Sequence, residues 1–111
     1  MPSAHELYNE ADALKDEGKL EEALAKLQQI AEFDPSFALA HSAMAVICGR
    51  MGQHDEAIRH GQRVCELEPN DPFSFTAMSV TFQRAFAGTG NHAFIQMAED
   101  AMAQAHMLEQ K

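Results

Sequence analysis

The residues of this 111-residue chain that could do chemistry are six histidines, two cysteines and seventeen acids. A metal centre carried on helices needs ligands one turn apart or a carboxylate preset beside them. His5, His41, His54, His60, His92 and His106 do not meet that spacing, since no two of them are four residues apart. His54 and Asp55 are adjacent, so they point to different sides of a helix. Cys48 and Cys65 stand in apolar helical contexts, with no CxxC or CxxCH pairing, and read as buried thiols. Nucleophile elbows and phosphate-binding loops are missing: the short run Gly88-Thr89-Gly90 is followed by no lysine. The acids Asp16, Glu17, Glu21 and Glu22 read as a solvated face. No catalytic residue, metal or cofactor is expected, and the chain reads as non-enzymatic.

The elements that would carry these residues are helices. Gly18 and Gly52 lie 34 residues apart, as do Ala23 and Ala57, and Pro35 and Pro69. Glu22-Ala23-Leu24 matches Glu56-Ala57-Ile58, and Phe33-Asp34-Pro35 matches Leu67-Glu68-Pro69. A fixed period of this size marks an array of one repeated supersecondary unit. Apolar residues at three- and four-residue spacing give helices at about 4–17, 20–33, 37–51, 55–67, 72–86 and 92–109. Gly18 should stop the first. Asp34-Pro35 should end the second. Ser36 is the expected N-cap of the third, while Asp71 as N-cap and Pro72 at the first position open the fifth. The third helix is apolar nearly all round, as a helix flanked on both sides should be. The fourth is the more solvated, with Arg59, His60, Gln62, Arg63 and Glu66 facing out. A loop is expected at Ala87–Asn91, with Thr89 or Asn91 capping the helix that follows. Aligning Ala98 with Ala57 leaves 41 residues rather than 34, so the last two helices should each be about one turn longer.

This pattern resembles the tetratricopeptide repeat (TPR). The first repeat is carried by Leu7, Ala11, Leu14, Gly18, Ala23, Leu27, Ile30 and Pro35. The second is carried by His41, Ala45, Cys48, Gly52, Ala57, Gly61, Val64 and Pro69. The third is carried by Phe75, Ser79 and Phe82 and, after a longer turn, Ala98, Met102 and Ala105. His41 and Gly61 stand where the family usually has a larger apolar residue. The resemblance implies an all-α, right-handed solenoid of three antiparallel helix pairs, one domain over 1–111 with repeats at about 4–37, 38–71 and 72–111.

It also implies a concave surface lined by the first helix of each repeat. Carried over position by position, that surface takes Tyr8, Asn9 and Asp12 from the first helix. Leu39, Ser42, Ala43, Val46 and Arg50 come from the third, and Phe73, Thr76, Ala77, Val80, Gln83 and Arg84 from the fifth. The result is a partly apolar trough with small residues in the middle and two arginines at one rim. Some relatives grip a C-terminal carboxylate with lysines and asparagines. Here those positions hold Tyr8, Asp12, Ala43, Phe73 and Ala77, so no chaperone-tail binding is implied. An amphipathic helix or extended apolar peptide would suit the trough. Alternatively, these side chains bury against one another across neighbouring helices.

On the last helix, Met97, Met102, Met107 and Leu108 either pack within their own repeat or form a face for a second copy of the chain. The net charge of −9 argues against nucleic acid and against anionic membranes. Nine of the acids and only three bases fall in residues 1–37, and a neutral or basic protein partner is favoured on steering grounds. With no apolar N-terminal segment and no run of about 18 apolar residues, a cytoplasmic location is expected.

Overall fold

Six helices account for nearly all of the computed structural model, which describes residues 2–110. They are α1 (Ala4–Asp16), α2 (Leu20–Phe33), α3 (Ala38–Arg50), α4 (His54–Leu67), α5 (Pro72–Thr89) and α6 (Ala93–Glu109), and no strand occurs among the described residues. The helix ends fall within one residue of the sequence expectation everywhere except at the end of α5.

The first two hairpins turn in the same way. Gly18 and Gly52 take φ of +81° and +78°, a region open to glycine at no steric cost. In both, the amide after the glycine bonds back to the last turn: Lys19 N–H to the Leu14 carbonyl (2.9 Å) and Gln53 N–H to the Cys48 carbonyl (2.8 Å). This closure satisfies carbonyls that the helix end would leave orphaned. At the helix starts, the Ser3 hydroxyl accepts from Glu6 N–H and the Asp71 carboxylate accepts from Phe73 N–H. Ser36 does not cap α3. The helix begins one residue later, after Phe37, and the Ser36 hydroxyl donates to the Asp34 carboxylate instead (3.2 Å).

The expected loop at Ala87–Asn91 is mostly helix. Helix α5 runs on to Thr89, whose hydroxyl donates to the Ala85 carbonyl (2.7 Å), and it ends only at Gly90, where φ is +74°. Small residues do not by themselves break a helix, and Gly88 here lies directly against the His54 ring at the start of α4. Asn91 then caps α6 by accepting from Ala93 N–H (3.1 Å). At 18 and 17 residues, α5 and α6 are longer than the 13- and 14-residue helices before them, which absorbs the longer spacing of the third repeat.

Each helix packs on the next in the chain, and α3 also touches α1 and α5. Helices α2, α4 and α6 make no such contact with one another. The array is therefore close-packed along α1, α3 and α5 and splayed along the other three. Its extents are 41 × 34 × 20 Å. Leu7, Leu27, Ile30, Met44 and Ile47 form an aliphatic core where α1, α2 and α3 meet. A second core, of Met78, Phe82, Ala98 and Ala101, joins α5 to α6.

Candidate functional site

Of the chemically capable residues, two histidines come together. His41 is only 8% exposed and stands in a core position of α3. Its Nε2 lies 3.0 Å from the Pro35 carbonyl, and its Nδ1 lies 3.1 Å from Nδ1 of His60 on α4. A carbonyl only accepts, so His41 carries its proton on Nε2 and offers a lone pair at Nδ1. His60 must then donate from Nδ1. The ring centroids are 5.4 Å apart, which is the N···N distance plus two ring radii. The nitrogens thus point straight at each other, as in a hydrogen bond; two ligands of one metal ion would be splayed. His60 is accordingly not solvent-facing, as α4's polar sequence suggests, but half-buried. Burial, and next the neighbouring His41, hold its pKa below the usual histidine value. Nineteen residues separate the two rings, so no local spacing announces the pair; the one sequence signal is a histidine, His41, in a core slot that needs a polar partner.

The other candidates stay apart. Burial raises the pKa of both thiols, Cys48 and Cys65, and the Cys65 thiol donates to the Ser74 carbonyl (3.6 Å). His5 packs edge-on against Phe37, and His92 against Phe86. Among the described residues no three of His, Cys, Asp and Glu gather as a metal-binding group.

The helices α1, α3 and α5 carry a more ordered pattern. Residues 34 apart in α3 and α5 present the same row twice: Leu39 and Phe73, Ser42 and Thr76, Val46 and Val80, Arg50 and Arg84. The corresponding row on α1 is His5, Tyr8, Asp12 and Asp16. Phe73 is 73% exposed, Leu39 49% and Val80 40%, so these apolar groups are not spent on packing. Between α3 and α5 lies a cavity of about 320 Å³. Ser42, Val46, Phe73, Thr76, Val80 and Arg84 line it, as does Ala77, and Gly61 and Val64 of α4 contribute to its lining.

Other residues expected at the trough do not line this cavity. Tyr8 and Asp12 border a much smaller space between α1 and α3, and Asp12 pairs with Lys15 (3.0 Å). Asn9 is exposed on α1, and Arg50 is exposed in the last turn of α3. Gln83 turns toward α6: its Nε2 donates to the Ser79 hydroxyl, which donates to the Ala98 carbonyl (2.8 Å). Ion pairs take up Lys15, Lys26, Arg59 and Arg63, whereas among the described residues Arg50 and Arg84 pair with no acid.

The four apolar residues of α6 do not share one face. Met97 borders a cleft between α4 and α6, Met102 borders an end cavity of about 450 Å³ against α5, Met107 is 60% exposed and Leu108 is half-buried.

Residues 11–52 match the family described as TPR repeat, and the six helices in three hairpins have the fold of tetratricopeptide-repeat structures. No curated protein matches the sequence. Among solved structures, the crystal structure of MamA superposes with a TM-score of 0.82 at 20% identity, over 97% of this chain and 59% of that one. The CopN–Scc3 complex gives 0.80 at 15% identity, over 96% and 59%. The second TPR of Spaghetti (RPAP3), bound to the HSP90 peptide SRMEEVD, gives 0.77 at 18% identity, over 95% and 91%. The chain thus spans little more than half the length of the MamA and CopN–Scc3 chains that it matches. At these identities the likeness is one of fold. Among the described residues no helix is long and apolar enough to cross a membrane.

Proposed function

We propose that this chain is a non-catalytic protein-interaction module that holds a segment of a partner protein in the trough between α3 and α5. The observation that carries this reading is the row repeated on those two helices. Phe73 and Val80 stand exposed in the lining of a cavity of about 320 Å³, and Leu39, the counterpart of Phe73 one repeat earlier, is exposed as well. Exposed apolar groups that line a concavity, rather than being scattered singly, mark a binding surface. The neighbouring structure of the second TPR of Spaghetti holds a peptide, which supports the same class of role here. We place the module in the cytoplasm.

The test is capture of a partner from the native host. Val46→Glu and Phe73→Asp should each abolish capture while the far-UV circular dichroism stays unchanged. Capture that survives both substitutions would remove the trough from the function.

A second reading, self-assembly through the third repeat, has one specific observation in its favour. The end cavity is lined by Ser79, Gln83, Phe86, Ile95, Ala98 and Met102. Ser79 and Gln83 follow Ala45 and Gly49 by 34 residues, and Ala98 and Met102 follow Ala57 and Gly61 by 41, so this surface corresponds to the side of the second repeat on which α5 packs. Light scattering would then give twice the 12.2 kDa chain mass, and Ile95→Glu would restore the monomer. A monomer at high concentration would exclude it.

A further inference from the structure

The two junctions between consecutive repeats have the same backbone plan and opposite side-chain volume. Where α1 meets α3, the space bordered by Tyr8, Leu27, Ala43 and Ile47 is only about 10 Å³. Where α3 meets α5, the residues 34 positions later border a cavity of about 320 Å³. The reason is in the residues themselves. Ser42 replaces Tyr8, Gly61 replaces Leu27, and Thr81 replaces Ile47, while Ala77 matches Ala43. Three truncations at one site leave a hollow with apolar walls that the neighbouring repeat fills from within. Met78 has already moved in on Gly61: a Cβ added there would meet its Sδ at 2.8 Å. The remaining hollow opens onto the trough.

Charge is arranged around it. Arg84 lines the cavity, its stem lying over Gly49, where a Cβ would be 3.7 Å from its Cδ. Gly49 stands where the first repeat has Lys15, so the space for that stem is again a truncation. In a chain of net charge −9, four of the eight bases are paired to acids, while Arg84 and its counterpart Arg50, like Lys19, pair with none among the described residues. The overall charge favours a neutral or basic partner at long range. Beyond a Debye length of about 8 Å that field is screened, so contact chemistry follows the local arginines.

We infer that the hollow between α3 and α5 is an anchor pocket, taking one large apolar side chain of a bound peptide whose neighbouring acidic residue pairs with Arg84. The inference rests on the trough-binding reading above and specifies its ligand. The space left beside Met78, about 320 Å³, has room for a side chain of Leu, Met or Phe size. Arg84 presents a planar guanidinium fork, which suits a carboxylate. A partly desolvated apolar anchor beside a charge-assisted hydrogen bond is the arrangement that concentrates binding energy at an interface.

The experiment is selection of random dodecapeptides displayed on phage against the intact chain, with the enriched peptides resynthesised and their affinities measured. Enriched peptides should share a large apolar residue within one helical turn of an Asp or Glu. Binding should fall by at least about tenfold on Gly61→Leu, which restores the first repeat's side chain, and on Arg84→Glu. Because Gly61→Leu crowds Met78, Ser42→Tyr fills the same hollow from α3 and should weaken binding equally. Peptides that lack an acid, or that bind all three variants as tightly as the parent, overturn the anchor pocket; if they are still lost on Phe73→Asp, the trough reading stands. Failure to enrich any peptide overturns both.

Discussion

The aliphatic junction of α1, α2 and α3 and the hairpin of α5 and α6 are held by different means. In the first, Leu7, Leu27, Ile30, Met44 and Ile47 interdigitate, so cohesion comes from large side chains. In the second, Ala85, Ala98, Ala101 and Ala105 are buried along longer helices, with Phe82 stacked on Phe94 at 6.1 Å between centroids. Small residues let backbones approach, close enough for the Ser79 hydroxyl to reach the Ala98 carbonyl. Leu27 and Gly61 show that one register position can do both jobs. Where the repeat keeps a large residue it makes core, and where it omits one it leaves room for something else. The two regions should therefore fail in opposite ways, the first by losing volume and the second by gaining it.

The largest effect should come from Leu27→Ala. With Leu27 at 1% exposure, removing its side chain should cost roughly 2–5 kcal/mol, read as a lowered urea midpoint. A loss under that range would mean that the first junction collapses around the gap and is less rigid than its packing indicates. In the α5–α6 hairpin the opposite substitution is the damaging one. Ala105→Leu should cost about 1–3 kcal/mol by overpacking, since Ala105 is fully buried, while truncation has little side chain to remove.

Gly88→Ala is a finer test of the lengthened third repeat. In a helix this change ordinarily stabilises by roughly 0.5–1 kcal/mol. Here the new Cβ would meet the His54 ring, so that gain should vanish or reverse, and His54→Ala should bring it back. The melting temperatures of both single variants and the double variant decide this; additivity would show that the two positions do not touch in solution.

The His41–His60 pair predicts a pH slope. Because the folded pKa of His60 lies below its unfolded value of about 6.5, the unfolded chain binds more protons. The pair's stability is therefore complete above the unfolded pKa and declines as pH falls below it. His60→Gln should flatten that part of the profile. Nitrogen chemical shifts should show His41 protonated at Nε2 and His60 at Nδ1 near neutrality; the reverse tautomers would break the pairing. The smallest effect on stability belongs to Phe73→Asp, within about 0.5 kcal/mol because the ring is 73% exposed, even though binding should be lost.

Much of the fold was legible before any coordinates. Gly18, Gly52, Pro35 and Pro69 punctuate the chain by local backbone chemistry, and the 34-residue spacing repeats that punctuation, so hairpins and their order follow from nearest neighbours. The misreadings were also local. Ser36 is one residue too early to cap α3, and the Ala-Gly-Thr run stays helical up to Gly90, with the His54 ring of a different helix against Gly88. Ser42, Val46, Phe73, Thr76, Val80 and Arg84, which line the cavity, follow from register alone, whereas Leu39 and Arg50 share the register and do not line it. The turn of Gln83 toward Ser79 does not follow from register, since it depends on how closely α6 approaches.

What the amino-acid order determined by itself is the hairpin and its copy number, because turns, caps and amphipathic spacing act over a few residues. Only the tertiary structure decided that His41 meets His60, that α6 scatters its methionines over several sides, and that the second junction is hollow where the first is full. Those outcomes depend on volumes contributed by three helices at once, and no stretch of chain carries that sum.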